Sequence, residues 1–126
     1  MPVVKFVPRP LSDREARPFD TAEEAWLWFS RCQLARIDGV RFSADAGEVS
    51  RPCEPDDIYR AVDQLYRRRV LARGHVSVLG RFGSRLAPPD PWAGDTPGEA
   101  SLWGEAMDRL STLLRSKGIV GAGEVP

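Results

Sequence analysis

Residues 54–86, EPDDIYRAVDQLYRRRVLARGHVSVLGRFGSRL, decide the reading of this chain. Pro55 suits the first position of a helix, and Asp56 and Asp57 suit its positive end. Ile58, Val62, Leu65 and Tyr66 then recur at i, i+4, i+7 and i+8, a core-facing helical stripe. The spacing predicts a helix over about 55–69. A shorter helix is expected over about 75–85, with Val76, Leu79 and Phe82 on its buried face. Gly80 and Gly83 each weaken it by about 1 kcal/mol relative to Ala, and they permit close packing against another element. The stretch is thus two helices about a tight turn.

Arginines crowd that turn. Arg67, Arg68, Arg69, Arg73, Arg81 and Arg85 fall in 19 residues that hold no acid, in a chain of formal net charge zero. Basic residues number 18 in all, only Lys5 and Lys117 being lysines, and Asn is absent. GC-rich coding explains a preference for Arg, but not the local absence of acids. Unopposed guanidinium groups point to an anionic partner, either a nucleic-acid backbone or an acidic protein. In a DNA-reading helix-turn-helix the second helix presents side chains to the major groove. Here it would offer His75, Ser77, Arg81 and Ser84, with Arg85 beside them, while Arg67, Arg68, Arg69 and Arg73 met phosphates. Six neutralised phosphates would give a slope of log affinity on log salt of about −5. The competing reading is that the arginines cap a helix and pair with acids elsewhere. Residues 87–108 supply five acids (Asp90, Asp95, Glu99, Glu105, Asp108) and no base. Whether this block covers the basic one is the question the sequence leaves open.

Outward from this segment, Asp20 and Glu23 have capping-box spacing at the start of a helix over about 21–36. Trp26 and Phe29 share one face of it. Trp28 lies roughly 160° from Trp26 around the axis, so the helix is sandwiched or Trp28 is partly exposed. Val40, Phe42 and Val49 leave a short β-hairpin near 40–51 or a loop as alternatives. Residues 86–96, LAPPDPWAGDT, read as a loop whose Trp92 plugs the edge of the core. Over about 97–117, Thr96, Pro97 and Glu99 form a cap and capping box. Leu102, Trp103, Ala106, Leu110, Leu113 and Leu114 form the stripe, and Gly118 with Ile119 closes a Schellman motif. The expected fold is therefore mainly α: one small domain of about four helices at 19–120, after a Pro-rich arm at 1–18 and before a flexible tail at 121–126.

With 126 residues there is room for one modest core. No apolar run is long enough for a membrane span, and MPVVKFVPRP lacks the pattern of a secretory signal. A cytoplasmic protein is expected. Cys32 and Cys53 read as buried thiols, and with His75 they lack metal-ligand spacing. The carboxylate pairs Glu23–Glu24 and Asp56–Asp57 suit helix N-termini, and GIVGAG at 118–123 follows a helix instead of a strand. No catalytic residue, cofactor, metal site or small-molecule substrate is indicated, so the expectation is a protein that is not an enzyme. Four tryptophans are many for this length, and any on the surface would suit a protein-binding patch.

The runs PCEPDDIYRAVDQLYRRR, HVSVLGRFG with PPDP, and LWGEAMDRLSTLLRSKGIV resemble a small family of uncharacterised proteins from GC-rich proteobacteria. The resemblance covers about residues 19–120 and carries no site residues across. Residues 71–83 also look like one helix of sigma-factor-type or phage-regulator helix-turn-helix proteins, which implies a DNA-associated regulator. The leading expectation is a non-catalytic nucleic-acid-associated or regulatory protein using residues 67–85. The alternative is a protein–protein adaptor or homo-oligomer with a Trp/Arg surface.

Overall fold

A computed structural model describes residues 16–39 and 49–122. It has four α-helices: α1 Ala22–Ile37, α2 Pro55–Arg67, α3 Arg73–Arg85 and α4 Pro97–Ser116. A 3₁₀ turn, Pro91–Ala93, precedes α4. The described residues form no strand, only an isolated parallel bridge between Phe19 and Val120. The hairpin expected near 40–51 lies, except for residues 49–51, outside the described residues, as do most of the N-terminal arm and residues 123–126.

Helix α1 begins one register later than its sequence suggests. Thr21, not Asp20, is the cap: its Oγ1 accepts from the Glu24 N–H at 3.0 Å. Glu24 in turn accepts from the Asp20 N–H at 2.9 Å. Glu23 is free for another task, and its carboxylate accepts the indole N–H of Trp103 at 2.8 Å, tying α1 to α4. Helix α1 packs against all three other helices. Trp26 faces α3, where its indole N–H donates to the Leu79 carbonyl at 2.9 Å. Trp28, on the other side, meets the ring of Phe19 with centroids 5.2 Å apart. Both tryptophans are buried, so α1 is sandwiched.

What fills the Trp28 side comes from the two ends of the domain. The Phe19 N–H donates to the Ile119 carbonyl, and the Gly121 N–H to the Phe19 carbonyl, both at 2.9 Å. This short parallel clasp buries Phe19, Ile119 and Val120. It also holds Gly121, at the start of the expected loose tail. The clasp follows directly from the end of α4. There Gly118 takes φ +77°, and its N–H and that of Ile119 close onto Arg115 and Leu114, as the Schellman pattern requires.

The α2–α3 turn closes by the same motif with an unusual residue. The N–H groups of Arg69 and Val70 bond to the carbonyls of Tyr66 and Leu65 at 3.0 and 2.9 Å. Arg69 occupies the left-handed position, φ +64°, that glycine normally takes. This ends α2 at Arg67, two residues short of the expected boundary, and leaves Tyr66 half-exposed instead of in the core stripe. Leu71 then drops into the core, and α3 starts at Arg73.

Of Gly80 and Gly83 in α3, only Gly83 serves close packing. A Cβ there would stand 2.6 Å from Ser30 Oγ and 3.0 Å from Trp26 Nε1, whereas one on Gly80 would meet nothing within 4 Å. Glycine at 83 thus lets α3 approach α1 closely enough for the Trp26–Leu79 hydrogen bond.

Candidate functional site

Of the residues singled out in the basic segment, the first four gather at the α2–α3 turn and are exposed. Arg67 donates to Asp63, one turn back, at 2.9 Å, an exposed pair of little energetic weight. With the Gln64 amide turned so that its oxygen faces outward along the helix, Arg68 donates to it at 3.1–3.2 Å. Among the described residues Arg68 has no acid partner, and Arg69 and Arg73 have neither an ion pair nor a side-chain hydrogen bond. Helix macrodipole effects favour cations at the C-terminus of α2, which suits Arg67 and Arg68. Arg73 opens α3, where the dipole disfavours a cation. The turn therefore holds positive charge that no acid among the described residues consumes.

The second half of the segment is different. Arg85 is held by Asp95 in a two-pronged pair at 3.0 and 3.1 Å. Arg81 is paired with Glu99, and both guanidinium groups lie against the ring of Phe82, at 5.3 Å for Arg81 and 4.6 Å for Arg85. The hydrogen bond from Arg85, followed by one from the Asp90 N–H, pulls the Asp95 carboxyl below its ordinary pKa. The acidic block thus covers the C-terminal half of the basic block and leaves its N-terminal half open. Ser77 is exposed on α3, and Ser84 is exposed with its hydroxyl donating to the Gly80 carbonyl in its own helix.

His75 does not belong on the outer face where the helix-turn-helix reading put it: it is only 6% exposed. The cause is the earlier start of α3, which makes His75 the third residue of the helix. Ala72 at the cap offers no side-chain acceptor, and His75 Nδ1 accepts the Ala72 N–H at 2.9 Å instead. That contact places the ring proton on Nε2, which donates to Glu105 Oε1 of α4 at 2.8 Å. Arg109 Nη1 lies 2.9 Å from the same nitrogen and 3.7 Å from Glu105. The His75 hydrogen bond, then the charge of Arg109, holds the Glu105 carboxyl below its usual pKa. His75 is accordingly a structural tie between the α2–α3 turn and α4.

Cys32 is buried, and Cys53 is not poised for nucleophilic chemistry. Burial, with Asp57 and Glu54 adding to it, pushes the Cys53 thiol up to about 11, so it carries its proton at neutral pH. Among the described residues no group of three or more His, Cys, Asp or Glu side chains is arranged to hold a metal. No helix of those residues is long and apolar enough to cross a membrane.

Two further features stand apart from the basic turn. Trp92, expected to plug the core, is 97% exposed. Its loop is organised by carboxylates instead of apolar contacts. Asp90 Oδ1 accepts the Trp92 N–H at 3.0 Å, and Asp95 Oδ2 accepts the Asp90 N–H at 2.7 Å. The resulting 3₁₀ turn aims the indole outward. The signal was present in DPWAGD: an Asp before the Pro, a Gly after the turn, and no apolar neighbour long enough to carry Trp92 inward. The second feature is a hollow of about 750 Å³ between α1, α2 and α3, floored by Trp26, Phe29, Val62 and Leu79. Gly80 forms part of one wall, and Tyr59 stands at its edge.

No protein-family model matches this chain, and no curated protein or solved structure matches it.

Proposed function

We propose that this is a non-catalytic, nucleic-acid-associated regulatory protein whose α2–α3 turn rests on the phosphate backbone. The observation that carries the reading is the division of the basic segment. Glu99 and Asp95 occupy Arg81 and Arg85, while Arg68, Arg69 and Arg73 have no acid partner among the described residues. Exposed arginines without carboxylates are suited to phosphate oxygens, which they bind with two parallel N–H donors. Arg67 can join them, since its pair with Asp63 is exposed and weak.

The reading is narrower than a base-reading helix-turn-helix. With His75 buried and Arg81 and Arg85 engaged, α3 has few side chains left for base edges. What remains positions a backbone and carries no sequence information. Three or four neutralised phosphates correspond to a salt slope of about −3, shallower than six would give. A cytoplasmic, bacterial setting is the one in which such a protein would meet its partner.

Titration of isotope-labelled protein with a random-sequence duplex tests this by amide chemical shifts. The expected result is perturbation centred on residues 67–73, with residues 81–85 and 90–95 unaffected. Shifts confined to α3 beyond Ser77 would replace this reading with groove insertion. No shifts at low salt would refute it.

A second reading, a protein-binding adaptor or homo-oligomer, is favoured by one specific observation: the outward display of Trp92 on a braced loop.

A further inference from the structure

Large aromatic side chains are informative when they are outside. Trp92 touches almost nothing of its own chain, being 97% exposed. Yet the loop that bears it is held by seven hydrogen bonds: two from Arg85 to Asp95, and those of the Asp90, Trp92, Ala93, Gly94 and Asp95 N–H groups. A loop braced before binding loses little backbone freedom on association, and Trp, with only two side-chain torsions to order, is a common interface anchor. The chain also has a matching receptor. The hollow between α1, α2 and α3, about 750 Å³ with an aromatic and aliphatic floor, is large enough for an indole and an adjoining proline.

We infer that Trp92 of one copy of this chain enters the α1–α2–α3 hollow of a second copy, and that the exchange is reciprocal. Knob and hollow adjoin the same end of α3. Gly80, Gly83 and Ser84 line the hollow, and the Trp92 loop is pinned to Arg85 just beyond them. A two-fold axis near that end pairs each indole with the other copy's hollow and closes the assembly at two chains. Charge agrees with this placement. Asp90, exposed beside Trp92, can approach a rim that carries Arg36 and Arg60, whose pairs with Asp56 and Asp57 are exposed and weak. Gly80 keeps that wall open, since a side chain there would project into space no other atom claims. The inference is independent of the anion reading, because the basic turn lies at the opposite end of α3 and stays exposed in such a dimer.

Sedimentation equilibrium over a wide range of concentration tests it with two variants that leave the packed core untouched. Trp92→Ala removes the knob, and Gly80→Leu fills the hollow from a helical position with room for the side chain. Wild type is expected to dimerise reversibly, and each variant to dimerise at least about 30-fold more weakly, the range for loss of a central anchor. Mixing the two variants restores one of the two contacts, so a heterodimer forms where neither variant alone dimerises. A monomeric wild type at the highest concentration, variants that dimerise like wild type, or a mixture that stays monomeric would each overturn the inference.

Discussion

Substituting Gly83 by Ala tests how closely α3 is seated on α1, and the structure fixes the sign. In an open helical position the change gains about 1 kcal/mol of helix propensity. At Gly83 the added methyl would stand 2.6 Å from Ser30 Oγ and 3.0 Å from Trp26 Nε1, both distances inside normal contact. Ser30 and Trp26 are buried and hydrogen-bonded, Ser30 to the Trp26 carbonyl at 2.9 Å and Trp26 to the Leu79 carbonyl at 2.9 Å. Neither can yield without losing a bond or shifting a helix. Overpacking of this kind costs about 1–3 kcal/mol, and a broken indole hydrogen bond adds about 1. The net expectation for Gly83→Ala is destabilisation by about 1–3 kcal/mol in urea unfolding. Gly80→Ala, three residues earlier with nothing within 4 Å of its Cβ, should stabilise by about 1 kcal/mol. Adding Ser30→Ala to Gly83→Ala removes the nearest overlap and should recover much of the loss, a coupling read from the double-mutant cycle. Equal effects at the two glycines, or no coupling with Ser30, would refute the argument that Gly83 is there for α1.

Three other expectations follow from the same geometry. Arg69→Gly relieves the left-handed backbone at φ +64° and should raise stability by about 1 kcal/mol while weakening anion binding, so that calorimetry and a binding titration move in opposite directions. Asp95 has a folded-state pKa below its unfolded one, so its contribution is present above the unfolded value, about 4, and fades as pH falls through the folded one; the melting-temperature gap between wild type and Asp95→Asn should therefore narrow steadily in acid. Cys53, with its thiol near 11, should react with a disulfide reagent at pH 8 on the order of 100-fold more slowly than in the unfolded chain, measured in a Cys32→Ala background; rates equal to the unfolded chain would contradict its burial.

Much of the fold was legible because this sequence punctuates its helices strongly. Pro55 and Pro97 at first positions, Thr96 with Glu99, and Gly118 followed by Ile119 mark ends that the structure reproduces within a residue or two. The misreadings share a cause: each depends on what a neighbouring element supplies. Thr21 caps α1 with Glu24 closing back on Asp20, while Glu23 reaches Trp103, a residue of α4 that sequence spacing cannot place beside it. Arg69 takes a backbone position for which glycine is the usual signal, so α2 reads two residues too long. The early start of α3 that follows carries His75 inward and so out of the candidate recognition face. The basic and acidic runs were visible, but only tertiary contact shows that Asp95 and Glu99 meet Arg85 and Arg81 and stop there. The hollow between α1, α2 and α3 has no sequence signature, because its floor is made of residues that read as ordinary core.

The central claim is that the uncovered arginines of the α2–α3 turn contact a phosphate backbone. Fluorescence anisotropy of a labelled random-sequence duplex, and of a single strand, measured at several salt concentrations, tests it most directly. Wild type is compared with Arg68→Ala/Arg69→Ala/Arg73→Ala and with Arg81→Ala/Arg85→Ala. The account predicts binding that weakens with a salt slope of about −3, is abolished in the turn variant, and persists in the α3 variant. No binding at low salt, or binding that survives loss of the three turn arginines, would contradict it.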